Sequence, residues 1–138
     1  MNDQTIEQEI QAKGLTAPRI TPADIEASIS VEYYFTAQDG VDGADLEAIR
    51  AKNPSKPYTF IPHDEDVPPQ PPLCLLTFCV LQLKNGFTVT GESACASPEN
   101  FDADLGRKIA RQNAINKVWP LMGYELRSKL ASCLAISK

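Results

Sequence analysis

Two arginines one helical turn apart, Arg107 and Arg111, are the residues whose type and spacing come nearest to a chemistry. On a helix they project from one face. A guanidinium grips a phosphate or a carboxylate with its planar fork. Residues placed at 100° intervals put Ala110, Ala114 and Val118 on that same side, and Leu105, Ile109 and Trp119 opposite them with Phe101. Arginines on a partly apolar face need a partner when they are buried. That partner is either an internal carboxylate, such as Asp102, Asp104, Glu92 or Glu125, or an anionic ligand such as a phosphate. The residues alone leave both open. Asn113 and Asn116 divide in the same way, between helix-surface polarity and ligand hydrogen bonding. Trp119, Tyr124, Phe87 and Phe101 divide between core packing and a stacking platform for a base.

Catalytic constellations are missing. The chain has no Gly-x-Ser-x-Gly, Walker loop, His-Glu-x-x-His or Gly-x-Gly-x-x-Gly. A Ser-His or Cys-His pair would have to use His63, the single histidine, which sits in a proline-rich stretch. Cys74, Cys79, Cys95 and Cys133 lack Cys-x-x-Cys spacing, so they read as small apolar side chains and not as metal ligands or a redox pair. The acidic run His63-Asp64-Glu65-Asp66 has no matching ligand cluster elsewhere and reads as a solvated loop. No metal and no cofactor are expected. With a net charge of −5 the chain lacks the basic field that non-specific nucleic-acid or membrane-surface binding requires. The first ten residues show no signal peptide, and no apolar run reaches the ~20 residues of a membrane span.

The elements that must position these residues follow from spacing. At 138 residues and 43% hydrophobic the chain suits one compact domain with its own core, residues 1–138. Ile6 and Ile10 mark a first short helix, with Asp3 as cap and Gly14 as its stop. Thr21 and Pro22 open a second, from Pro22 to about Ser30, with Ile20 stapled on Ile25. Val31 to Thr36 suits a strand. Gln38 to Gly43 is turn-rich, and Ala44 to Lys52 suits a short helix. Asn53 to Pro72 holds seven of the eleven prolines and reads as an extended surface loop. Leu73 to Ala96 is a β-hairpin turning at Asn85-Gly86, the preferred pair for a type I′ turn. Gly91 inside its second strand marks a bulge or a close backbone approach. Ser97 and Pro98 open a helix that runs to Trp119, and Pro120 ends it. A last helix spans about 124–135 with Leu126, Leu130 and Leu134 at four-residue spacing. The fold class is therefore α+β, a small antiparallel sheet built on the 73–96 hairpin and covered by C-terminal helices, with helices at the N-terminus. The 98–119 helix has two apolar faces, one for the sheet and one for a second helix or another subunit. A homodimer or higher homo-oligomer is expected.

The segments Leu76 to Leu81, Leu83 to Cys95, Pro98 to Asp102, Leu105 to Arg111, Ala114 to Trp119 and Gly123-Tyr124 resemble the phage "gene 49 / gene 66" family of small proteins. The resemblance covers roughly residues 74 to 130. Most members carry no assigned activity, but one branch looks like the anti-Thoeris sponge proteins, which sequester cyclic ADP-ribose-type immune signals without cleaving them and assemble into oligomers with pockets at subunit contacts. The resemblance implies a phage or prophage protein of the host cytoplasm that binds a small phosphorylated nucleotide signal. Arg107 and Arg111 would hold its phosphates, and Asn85, Phe87, Asn100 and Phe101 would line the same pocket. The segment from Gln38 to Pro72 stands as an insertion relative to short members. It supports the other function kept open, a phage protein–protein interaction factor with no small-molecule ligand.

Overall fold

A computed structural model of the chain describes residues 2–15, 17–52 and 72–136. The proline-rich stretch through 71, with its His63–Asp66 run, lies outside them. The class is α+β. Helix α1 (Asp3–Ala12) and helix α2 (Pro22–Ser28) lead into strand β1 (Ile29–Thr36) and helix α3 (Ala37–Lys52). Strands β2 (Leu76–Leu83) and β3 (Thr88–Ala94) follow, then the long helix α4 (Ala103–Ile136). The strands form one antiparallel sheet in the order β1-β2-β3.

The N-terminal half obeys capping chemistry, with two adjustments. Asn2, not Asp3, caps α1, accepting from the Thr5 N–H at 2.8 Å. The helix stops at Gly14, whose φ of 68° suits glycine. In α2, Thr21 and Asp24 form a reciprocal capping box with Pro22 in the first turn. That helix ends two residues early because Ile29 has already entered β1, where it pairs with Leu83. The turn-rich stretch Gln38–Gly43 proves helical. Thr36 and Asp39 repeat the reciprocal cap at 2.9 and 3.1 Å and start α3 at Ala37. No residue of α3 is buried.

The hairpin at Asn85-Gly86 is present, but its loop is one residue longer than a type I′ turn. The Gly86 N–H donates to the Leu83 carbonyl at 2.9 Å and the Leu83 N–H to the Phe87 carbonyl at 2.8 Å, leaving Lys84-Asn85-Gly86 as a three-residue loop. Gly86 takes a left-handed φ, 89°.

The C-terminal half departs further. Ser97 makes no side-chain cap, and Pro98–Asn100 is a single 3-10 turn. Asp102 starts α4 instead, its side chain accepting from the Leu105 N–H at 3.1 Å. The helix then runs unbroken through Pro120 for 34 residues, where two helices were expected. A proline inside a helix removes one N–H and crowds the carbonyl four residues earlier, a cost that tertiary packing has to offset. Trp119 and Met122 flank it and both pack on the core, which fixes the helix on either side.

One sheet face makes the core. Cys79, Leu81, Leu83 and Val89 pack against Ala110, Ala114, Ile115 and Val118 of α4, with Ile25 of α2. Gly91 is the point of closest approach: a Cβ there would stand 2.1 Å from the Ala110 carbonyl oxygen and 2.3 Å from the Ala114 nitrogen. Of the two alternatives for Gly91, the structure has the close approach. On the far side of α4, Leu105 and Ile109 are exposed.

Candidate functional site

The helix that carries both arginines lies along the core face of the sheet, and the two side chains meet different surroundings. Arg111 is a quarter exposed and is held by two internal carboxylates. It donates to Glu26 of α2 at 2.9 and 2.6 Å and to Glu32 of β1 at 3.2, 3.3 and 2.9 Å. The bonds to Glu26 and Glu32 push the Arg111 pKa further up. The bond from Arg111 in turn holds the Glu32 carboxyl below its ordinary range. The Tyr34 hydroxyl extends the chain, donating to Glu32 at 2.7 Å. Burial and that bond push the phenol well above its usual value, and burial raises the neighbouring Cys79 thiol. The network ties α2, β1 and α4 together and commits Arg111 to carboxylates of its own chain.

Arg107 is freer. It pairs with Asp104 on its own helix, and 44% of its side chain is exposed. It lines a cavity of about 90 Å³ with Phe101, Tyr34, Phe35, Asp39 and Thr77. Arg107 and Phe101 are therefore brought together. Asn100 sits in the adjoining 3-10 turn and does not line that space. Asn85 and Phe87 lie at the hairpin tip. The seven residues of β3, roughly 20 Å of strand, separate them from Phe101 within one chain. The Asn85 side chain accepts from the Phe87 N–H at 2.9 Å, and Phe87 is exposed. Asn113 donates to the Glu92 carbonyl at 2.8 Å and fastens α4 to β3.

A further apolar surface is one that residue spacing does not single out. Strand alternation puts Val31, Tyr33 and Phe35 on the sheet face turned away from α4, beside Leu76, Phe78 and Val80. The register sets Tyr33 opposite Val80 and Phe35 opposite Phe78. The two phenyl rings stack with centroids 5.7 Å apart. Tyr33 is 57% exposed and Phe35 37%. Phe78 and Val80 are half-buried, and Thr90 and Glu92 of β3 form a polar rim. The alternation in VEYYFT carried the signal. Its dominant apolar side faces outward, while Glu32 and Tyr34 turn toward α4.

Among the described residues no group of three His, Cys, Asp or Glu side chains could hold a metal ion. No helix of the described residues is long and apolar enough to cross a membrane. Comparison with protein families matches residues 20–130 to the phage protein (N4 Gp49/phage Sf6 gene 66) family, and the chain belongs to that family. Neither the curated proteins nor the solved structures yield a match.

Proposed function

We propose that this member of the phage gene 49/66 family works by binding, and that its partner is a host protein that docks on the open face of the sheet. The observation that carries the reading is the Tyr33, Phe35, Phe78 and Val80 patch, aromatic, with Tyr33 and Phe35 exposed and α3 touching only its edge, where Gly40 lies against the Phe35 ring. Aromatic side chains dominate the energetics of protein interfaces, and contiguous exposed apolar patches mark interaction sites. The patch is rimmed by Glu92, and the whole chain carries a net charge of −5. Its complement is an apolar surface with basic residues around it. A photoreactive residue at position 33, with one at the exposed Lys117 of α4 as control, tests this in host cells. A single partner cross-linked from position 33 and not from 117 is expected. Equal yields from both positions would refute docking on this face.

A second reading, sequestration of a cyclic ADP-ribose-type signal, is favoured by the meeting of Arg107 and Phe101 in one cavity. About 90 Å³ is well under the ~300 Å³ of an ordinary ligand pocket. A second copy of the chain would have to complete the site. Thermal shift against cyclic ADP-ribose isomers tests it. A shift lost in Arg107→Ala supports the site, and no shift at millimolar ligand removes it.

A further inference from the structure

Helix α1 is held to the body by polar ties with space beneath it. Glu7 is buried, and Arg19 grips it with two 2.6 Å bonds. Asp3 accepts from the Trp119 indole N–H at 3.3 Å and from the Gln112 amide at 3.4 Å. Two cavities adjoin that Asp3–Trp119 contact. One, of about 270 Å³, is walled by Ile6, Ile10, Ile20 and Pro22. The other, of about 210 Å³, reaches Glu26, Arg111 and Gln112. Asp3, Pro22 and Trp119 line both.

The charge balance decides which ligand fits. Arg19 is spent on Glu7, and Arg111 is shared between Glu26 and Glu32. Asp3 receives only two long bonds from neutral donors, and no cation among the described residues pairs with it. A carboxylate with no counter-ion among the described residues, beside an indole and between aliphatic walls, repels a phosphate and attracts a cation with an apolar body. We propose that the paired cavity under α1 binds an alkylammonium group, its charge at Asp3 and its hydrocarbon against Ile6, Ile10 and Trp119. The group belongs either to a free organic amine or to a lysine side chain of a partner. This site is separate from the open sheet face and stands or falls without it.

Trp119 is the only tryptophan in the chain, so its emission reports the cavity directly. The probes are cyclohexylammonium, its neutral isostere cyclohexanol and the anion cyclohexanecarboxylate, with free N-acetyltryptophanamide as the control for collisional quenching. A saturable change with cyclohexylammonium is expected, with binding at least tenfold weaker for the alcohol and undetectable for the carboxylate. In Asp3→Asn, which keeps an acceptor for the indole, the preference for the amine over the alcohol should vanish while the melting temperature stays within about 2 °C. Equal binding of amine and alcohol, an unchanged preference in Asp3→Asn, or no saturable change would each overturn the proposal. Nα-acetyl-lysine methylamide distinguishes the sources. Binding comparable to that of cyclohexylammonium points to a partner's lysine, and much weaker binding points to a free amine.

Discussion

Replacing Gly91 by alanine should be among the most damaging single-methyl changes available in this chain. The new Cβ would stand 2.1 Å from the Ala110 carbonyl oxygen and 2.3 Å from the Ala114 nitrogen, both of them backbone atoms that no rotamer change can move. Relief to an ordinary contact of roughly 3.4 Å requires α4 to move away from β3 by about 1 Å. Ala110, Ala114 and Val118 are fully buried at that contact, so the shift opens the seam along which helix and sheet meet. Overpacking typically costs about 1–3 kcal/mol. A clash between two backbones belongs at or above the upper end, so about 3 kcal/mol is expected. For a chain of this length that is a fall of roughly 10 °C in melting temperature. Urea denaturation followed by far-ultraviolet circular dichroism measures it, with Gly123→Ala as control because a Cβ at Gly123 meets nothing within 4 Å. A Gly91→Ala loss below about 0.5 kcal/mol would refute the close helix–sheet contact.

The remaining predictions concern the charged network, the long helix and the two arginines. Arg111→Ala leaves Glu26 and Glu32 facing each other and should cost about 1–2 kcal/mol after allowance for their partial exposure, whereas Arg107→Ala, in an exposed pair on its own helix, should cost under about 0.5 kcal/mol in the same urea titration. Because Arg111 holds the folded Glu32 pKa below its unfolded value, the stability from that pair is complete above the ordinary carboxylate value of about 4.3 and is lost as pH falls through the lower folded value. Glu32→Gln should therefore flatten the stability profile below about pH 4.5, and an unchanged acid limb would contradict the assignment. Pro120→Ala should raise stability by about 1–3 kcal/mol by restoring a helical N–H in the middle of α4, measured by thermal denaturation; a loss of stability would show that the proline fits a bend the helix needs.

Local chemistry made much of the fold legible. The Thr21 cap with Pro22 after it and the turn at Asn85-Gly86 follow from residues near one another in sequence, whereas Gly91 leaves a bulge and a close approach equally open until the backbone of α4 is placed against it. Tertiary context decided the rest. Pro120 reads as a helix stop, but Trp119 and Met122 pack on the core on either side of it and carry α4 through. Gln38–Gly43 reads as turn, but the Thr36–Asp39 cap nucleates a helix across it. For the site, Arg111 was marked by its spacing, yet its partners were not. Glu26 and Glu32 stand 85 and 79 residues away, and only the sheet register brings Glu32 under the helix. The open sheet face was written in the alternation of Val31, Tyr33 and Phe35, but a period of two does not say which side a helix will cover. The covering helix chose the side bearing Glu32 and Tyr34 because Gly91 and the small residues of α4 allow close approach there.

The most direct test of docking on the open face is quantitative binding of the cross-linked partner, purified, to the wild-type chain and to Tyr33→Ser/Val80→Ser. Both substituted side chains sit on that face, paired across β1 and β2 and away from the α4 seam, so the fold should survive, with circular dichroism and melting as the check. Removing an aromatic anchor and its paired contact should weaken binding by at least 2 kcal/mol, about thirtyfold in Kd. Wild-type affinity in the folded double variant would contradict the assignment of this face to partner binding.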